Sequence, residues 1–233
     1  MKTTKMILRS LLLSTFLFWY AIAAQSQVPP SPAETSAYTG YLEAASRNDE
    51  AKRKALAAQG MIPDIRDGHG RTALHVAAFG GHHAAMRALV EAGADPNALE
   101  NDRYDIVTIA AVDNDVPTLK LALELGASAK NITSPYDGTA LIAAAHLGHV
   151  EVVKILIGAG APLDHVNNLG WTALIESIVL GDGGTRHTET LRALVAAGAD
   201  VNLADRSGSS PLSLARSRGY KEMADILESA KTC

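Results

Sequence analysis

The chain has 233 residues, of which 21 are basic and 25 acidic. Its formal charge of −4 and the lack of a basic run argue against nucleic acid as a partner. The only cysteine is Cys233, so a fold held together by internal disulfides is excluded. The length suits one domain or one repeat array with short ends.

Residues 1–24 have the pattern of a secretory signal peptide. The stretch MKTTKMILRS carries three basic residues and no acidic ones, and the apolar run LLLSTFLFWYAIA follows it. About a dozen apolar residues are too few to cross ~30 Å of hydrocarbon, which favours a cleaved signal over a membrane helix. The alternative is an uncleaved membrane anchor. We expect cleavage after Ala23 or Ala24.

Export predicts a periplasmic protein, with secretion as a further possibility. Cleavage removes three basic residues and no acidic ones, which leaves 18 basic and 25 acidic residues and a charge of −7. The next segment, residues 25–36, contains three prolines and has no periodic apolar pattern. It is therefore interpreted as a Pro/Ser-rich tether that precedes a repeat domain over residues 37–233.

A repeat of about 33 residues organises the rest of the chain. One series of glycines closes alanine- and leucine-rich stretches with separations of 33, 33, 34 and 38 residues: Gly60, Gly93, Gly126, Gly160 and Gly198. A second series generally lies 12 residues before the first: Asn48, Gly81, Asn114, Gly148, Gly181 and Gly219. Glycine and asparagine tolerate the left-handed conformation that ends many helices. Each period therefore predicts two short helices.

The expected helix starts agree with these ends. Nine residues before most members of the second series stands a residue whose side-chain oxygen can cap a helix: Thr72, Asp105, Thr139, Thr172 or Ser210. Apolar residues then follow with helical spacing. One such unit cannot bury its apolar face alone, so neighbouring units must stack.

These residues carry a family resemblance. The segment DGHGRTALHVAAFGGHHAAMRALVEAGADPNA, residues 67–98, resembles an ankyrin repeat almost position for position. The resemblance covers six units and implies an all-α solenoid of helix pairs with projecting β-hairpin fingers. The units start near residues 37, 70, 103, 137, 170 and 208. The later units also resemble those of exported bacterial ankyrin-repeat proteins, which implies an interaction role in the periplasm.

The fifth unit contains an insertion. Gly181 and Gly198 are 17 residues apart, where 12 is the rule, and the five extra residues are Asp182–Arg186. A phosphate-binding loop would need a strand before it, a helix after it and usually a lysine; the pattern before the insertion is helical, and the insertion contains no lysine. We interpret the insertion as a longer turn between two helices, either tolerated at the surface or used in binding.

Two kinds of chemistry compete with a binding role. His146, Glu176, Asp182 and His187 come from adjacent units and could converge into a metal or enzyme site. However, His82, His149 and His187 follow the first helix of their units, where the resemblance implies a structural histidine. His75 is likewise expected to join neighbouring hairpins. We therefore predict no catalytic residues, no metal and no cofactor.

The remaining signal is a strip of apolar and aromatic residues along the expected groove. Four of them share one position late in the first helix, and others belong to the fingers and the insertion. The predicted partner-binding residues are Phe79, Tyr104, Val112, Tyr136, His146, Trp171, Val179, Asp182 and Arg186. The alternative is that Tyr104 and Trp171 only pack on neighbouring fingers.

The sequence thus predicts a non-catalytic scaffold that binds a protein or an extended peptide on its concave groove. An enzyme or metal site around His146 is the second hypothesis. A purely structural or stress-protective envelope protein is the third, and it would show no saturable partner.

Overall fold

The computed structural model describes residues 27–231, and within them thirteen helices form a stack of six pairs preceded by one short helix. The preceding helix is α1 (Pro32–Ala37). The first helices of the pairs are α2 (Gly40–Ser46), α4 (Ala73–Phe79), α6 (Ile106–Val112), α8 (Ala140–Leu147), α10 (Ala173–Val179) and α12 (Pro211–Ser217). The second helices are α3 (Glu50–Ala58), α5 (His83–Glu91), α7 (Val116–Glu124), α9 (Val150–Gly158), α11 (Thr185–Ala196) and α13 (Lys221–Lys231). The predicted signal peptide and Cys233 lie outside the described residues.

The predicted helix starts are confirmed. Each of the five expected caps accepts a hydrogen bond from the backbone N–H three residues ahead: Thr72, Asp105, Thr139, Thr172 and Ser210. Such a bond satisfies one of the N–H groups that a first turn leaves without a partner. Local chemistry therefore sets where each first helix begins.

The predicted helix ends are confirmed except in the fifth unit. The two asparagines of the second series, Asn48 and Asn114, have φ of 51° and 55°. The glycines of both series also have positive φ, with the exception of Gly181. In the fifth unit the positive φ belongs to Gly183, at 70°. Gly181 serves another purpose, because a Cβ there would lie 2.1 Å from the Ser177 carbonyl oxygen. It is required for close packing at the end of α10.

The core runs through the stack without interruption. Each first helix packs on the first helix of the next unit and on the second helix of its own unit. Small residues such as Ala77, Ala110 and Ala144 are almost completely buried between the helices, which allows close approach. Leu141 in the first helix of unit four is fully buried, and Glu50 in the second helix of unit one is exposed.

The first unit buries one charged residue in its second helix. Arg53 in α3 occupies the position that Met86, Leu119 and Val153 fill in the next three units. It is only 4% exposed, and among the described residues its Nε and Nη1 atoms have no hydrogen-bond partner. A charged side chain therefore stands where the other units bury an apolar one.

The fingers are tight turns held by one side chain each. Asp67, Asn167 and Asp205 begin the turns of their units, and the Oδ1 atom of each accepts hydrogen bonds from two backbone N–H groups within the turn. The described residues contain only isolated β-bridges in these fingers, between Arg66 and Thr72 and between Thr133 and Gly138. The fingers project beside the first helices, and we call this side of the solenoid the groove face.

The segment interpreted as a tether differs from that expectation. Ser31 and Glu34 form a capping box that starts α1, and Pro32 occupies the first turn, where proline is favoured. Arg71 holds the segment down: its Nη1 atom donates to the Val28 carbonyl oxygen at 2.9 Å, and its Nη2 atom donates to Glu34. Residues 28–37 therefore pack against the second unit and do not form an extended tether.

The insertion in the fifth unit is partly helical. Thr185 and Arg186, expected in the turn, form the first turn of α11, which has 12 residues where the second helices of units one to four have nine. Only Leu180–Gly184 remain as the connection. The extra residues thus extend a helix as well as a loop, because α11 is capped by Gly184, three residues before His187, which is aligned with the caps His82 and His149 of other units.

Candidate functional site

The four residues that share one position late in the first helices were expected to form an exposed strip. Their solvent exposures differ. Phe79, Val112 and His146 are partly exposed on the groove face. Val179 is buried at 9% exposure, and Tyr104, expected to belong to the same surface, is buried at 5%. These two residues are less exposed than expected, because neighbouring fingers and helices cover most of their side chains.

A pocket opens at the middle of the groove face. It lies between the fingers of units three, four and five, over α6 and α8, and has a volume of about 70 Å³. We call it the central pocket; its lining side chains include Tyr104, Thr108, Val112, Tyr136, Ile142, His146, Asn167, Leu169 and Glu176. This volume suits one side chain of a partner, since drug-sized ligands need cavities of roughly 300 Å³ or more.

Four of the predicted binding residues therefore meet in one place. Tyr104, Val112, Tyr136 and His146 all line the central pocket, although they come from two fingers and two helices. Tyr136 is positioned by its finger turn, where the Ser134 hydroxyl accepts from the backbone N–H of Tyr136 at 3.2 Å. The pocket thus combines aromatic rings and aliphatic side chains with a few polar groups.

The floor of the central pocket carries a buried acid. Glu176 is 4% exposed, and its Oε1 atom accepts a hydrogen bond of 2.7 Å from Asn167 Nδ2. Its Oε2 atom lies 3.4 Å from His146 Nδ1, which is long for a hydrogen bond. The orientation of the Asn167 amide is set, because its Oδ1 atom accepts from the backbone N–H groups of Leu169 and Trp171.

The second pair of the proposed metal site forms elsewhere. Asp182 Oδ1 and His187 Nδ1 are 2.8 Å apart, while the other ring nitrogen of His187 is 2.9 Å from the His146 carbonyl oxygen. A backbone hydrogen bond to Gly184, followed by the contact with His187, lowers the pKa of Asp182. The four residues thus form two separate pairs. In residues 27–231 no three His, Cys, Asp or Glu side chains are placed to hold a metal ion together.

Three histidines perform the same structural task. His82 and His149 each place Nδ1 within 2.9 Å of a carbonyl oxygen near the end of the preceding unit's first helix, at Ala45 and Ala111. His187 makes the equivalent contact with His146 through Nε2. Each histidine thus links its own unit to a helix-end carbonyl of the preceding unit, a structural role that the resemblance implied.

His75 joins two units as expected. Its Nε2 atom is 3.2 Å from the Tyr104 carbonyl oxygen in the next unit, and its Nδ1 atom accepts from Thr72. This arrangement requires the neutral ring with the proton on Nε2. Burial lowers the pKa of His75 to about 4.

The remaining predicted binding residues lie outside the central pocket. Phe79 lines a narrow cleft next to Val28, so the amino-terminal segment partly covers this end of the groove face. Trp171 is partly exposed at the base of the fifth finger, and Asp182 and Arg186 are exposed at the start of α11. These four residues therefore lie apart from the central pocket, which gathers the predicted residues at the middle of the groove face.

Two members of the central pocket were missed or given another role. Asn167 stands where units two and six have Asp67 and Asp205, and this exchange of acid for amide was a visible signal. Glu176 was considered only as part of a metal or enzyme site. Its position holds Val76, Ile109, Ala143 and Leu214 in other units, so an acid there already stood out in the repeat alignment.

The architecture defines a class of protein: a helical solenoid that presents fingers and first helices on one side. No helix among the described residues is both long and apolar enough to pass through a bilayer. Family models of ankyrin repeats match residues 69–101 and, as three copies, residues 107–205.

Individual relatives agree with the family models. The chain is 34% identical over 191 residues to the ankyrin repeat protein YahD of Escherichia coli (strain K12), which covers 82% of this chain and 94% of YahD. It is similar to a crystal structure of an ankyrin repeat domain from Acinetobacter baumannii AYE, with 43% identity, a TM-score of 0.77 and coverage of 82% and 97%. The ankyrin repeat protein EF0377 gives 30% identity, a TM-score of 0.74 and coverage of 82% and 98%.

The chain belongs to the ankyrin-repeat family. Ankyrin repeats generally mediate protein–protein interaction, and the fold is typically a non-enzymatic scaffold. The predicted all-α solenoid is therefore confirmed, and its general role in binding proteins follows from the family.

Proposed function

We propose that this protein is a non-catalytic scaffold of the bacterial periplasm that binds a protein or an extended peptide on its groove face. The observation that carries the proposal is the central pocket, where two fingers and two first helices bring Tyr104, Val112, Tyr136 and His146 together. Aromatic and aliphatic groups beside a few polar ones are typical of the centres of protein interfaces.

The use of the histidines supports a binding role over a catalytic one. The rings of His75, His82, His149 and His187 each contact a backbone carbonyl oxygen of a neighbouring unit. A general base needs a free nitrogen within reach of a substrate proton. These rings are instead committed to holding adjacent repeats in register.

A capture experiment tests the binding surface. The purified protein is used to capture partners from periplasmic extract, and bound proteins are identified by mass spectrometry. Tyr136→Ala should reduce capture about tenfold or more, because truncated aromatic anchors commonly cost ~2 kcal/mol. Lys154→Ala, on the exposed side of α9, is the matched control and should leave capture unchanged. Equal capture by both variants would place the partner elsewhere.

The location is tested separately. We expect residues 1–30, fused to a reporter that is active only outside the cytoplasm, to give signal. Amino-terminal sequencing of the exported protein should begin at Ala24 or Gln25. Recovery of the full-length chain in the cytosol would contradict the proposed compartment and leave the binding surface unaffected.

A further inference from the structure

We propose that the central pocket recognises a lysine side chain of the partner, whose ammonium group pairs with Glu176. This inference rests on the proposed function of the groove face. It adds the chemical identity of the group that enters the pocket. It follows from the negative charge of Glu176, which has no lysine or arginine partner among the described side chains.

Two units carry an acid at the same repeat position, and their surroundings differ. In the first unit this position is Glu43, which forms salt bridges with Arg47 and Lys52 of its own chain. In the fifth unit it is Glu176, which is more deeply buried, with a side-chain exposure of 6% against 18% for Glu43. Among the described side chains, those of residues 27–230, no lysine or arginine nitrogen lies within 4.0 Å of Glu176.

The existing contacts of Glu176 hold the carboxylate in place without a lysine or arginine partner among the described side chains. The Asn167 amide occupies Oε1 at 2.7 Å, and its own Oδ1 atom is fixed by two backbone donors. His146 reaches Oε2 only at 3.4 Å. A buried carboxylate is costly without a cation or several short hydrogen bonds. Oε2 is therefore the atom left for a charged donor.

The walls favour lysine over arginine. Val112, Ile142 and Leu169 offer an apolar channel for an aliphatic stem, and Tyr104 and Tyr136 add aromatic rings that attract a cation. A guanidinium binds best to both oxygens of one carboxylate, whereas Asn167 already occupies Oε1. An ammonium group is compact and needs only the single oxygen that remains.

Matched peptides test the inference on the purified protein. Acetyl-Ala-Lys-Ala-amide is compared with the same peptide carrying norleucine, which keeps the four-carbon side chain and lacks the ammonium group. Binding is followed by NMR through the signals of Tyr136 and His146. We expect the lysine peptide to bind about tenfold more tightly, as charge-assisted hydrogen bonds of ~1.5 kcal/mol imply.

Two variants at equivalent repeat positions provide the control. Glu176→Gln keeps an acceptor for Asn167 and should abolish the preference for lysine over norleucine. Glu43→Gln changes an acid that its own chain already pairs and should leave the preference intact. Thermal unfolding checks that both variants fold. If Glu176→Gln does not fold, the comparison of the two peptides on the unmodified protein still tests whether the pocket prefers lysine.

Each outcome separates this inference from the proposed function. Equal binding of the two peptides, or no shift of either signal with both, would overturn lysine recognition. If Tyr136→Ala loses the captured partner while Glu176→Gln retains it, the groove face binds the partner and the lysine inference is wrong. If neither variant loses it, both proposals fail.

Discussion

At the amino-terminal end of the groove face, Arg71 is enclosed by acids of its own chain; in the middle, Glu176 contacts no lysine or arginine among the described side chains. Arg71 is 1% exposed and contacts Asp67, Glu34 and the Val28 carbonyl oxygen. Glu176 has an amide at 2.7 Å and a histidine at 3.4 Å.

The amino-terminal end is also covered. Residues 28–37 lie over it, and Tyr38 donates to Asp67 at 2.6 Å. Burial works against ionisation of Asp67, but hydrogen bonds from Tyr38 and Arg71 outweigh it and lower its pKa. At the amino-terminal end, the buried charges are therefore paired by groups of the same chain. The centre instead keeps an open pocket with a charge that an external group can pair.

The largest expected effect is at Arg71. Arg71→Met should lower the free energy of unfolding by ~3–5 kcal/mol, because it leaves the buried Asp67 carboxylate without its cation. Urea unfolding measures this cost. Arg103→Ala, which breaks the exposed pair of Arg103 with Asp137, is the control and should cost within ~1 kcal/mol. Similar costs would mean that the amino-terminal end is not closed by Arg71.

Acid should weaken the junction between units two and three through His75. The folded state keeps this ring neutral, with a pKa of about 4, while an exposed histidine titrates near 6.5. Protons therefore bind first to the unfolded chain, and stability falls as the pH drops from about 6.5 towards 4. Between pH 7 and pH 5 we expect a loss of ~2 kcal/mol that is absent in His75→Gln. A parallel loss in the variant would assign the pH dependence to other groups.

Replacement of Arg53 should stabilise the first unit. Met86 fills the equivalent position in the second unit, so Arg53→Met offers a side chain that the repeat already accepts there. Removal of a buried guanidinium with unpaired Nε and Nη1 atoms should raise the free energy of unfolding by ~1 kcal/mol. Thermal unfolding would detect a rise of a few degrees. A lower melting temperature would show that Arg53 has a partner in solution.

The smallest effect on folding is expected from the insertion. Deletion of Asp182–Arg186 joins Gly181 to His187 and restores the spacing of the other units. The contact of His187 with the His146 carbonyl oxygen can still form, and loop length contributes only ~0.6 kcal/mol per doubling. We expect cooperative unfolding within ~1 kcal/mol of the parent protein. Reduced partner capture by this variant and by Trp171→Ala would extend the binding surface beyond the central pocket, and loss of folding would make the insertion structural.

The sequence by itself determined the repeat, the number of units and the ends of most helices. Cap residues such as Thr139 and helix-end residues such as Asn114 act on the backbone within a few positions, so their effect can be read locally. Leu141 could be assigned to the core for the same reason, because helical spacing and repeat register together fix which face it occupies.

Only the tertiary structure decided which of the surface candidates stay open and how the charges pair. Tyr104 and Val179 are buried by neighbouring units, and Arg71 meets Val28 across 43 positions of the chain. Asn167 and Glu176 lie in one unit, yet their contact depends on how the finger folds back over α10. The burial of a side chain and the pairing of its charge depend on groups that the stacking of units brings together. The residue pattern within one repeat does not give the distances between those groups.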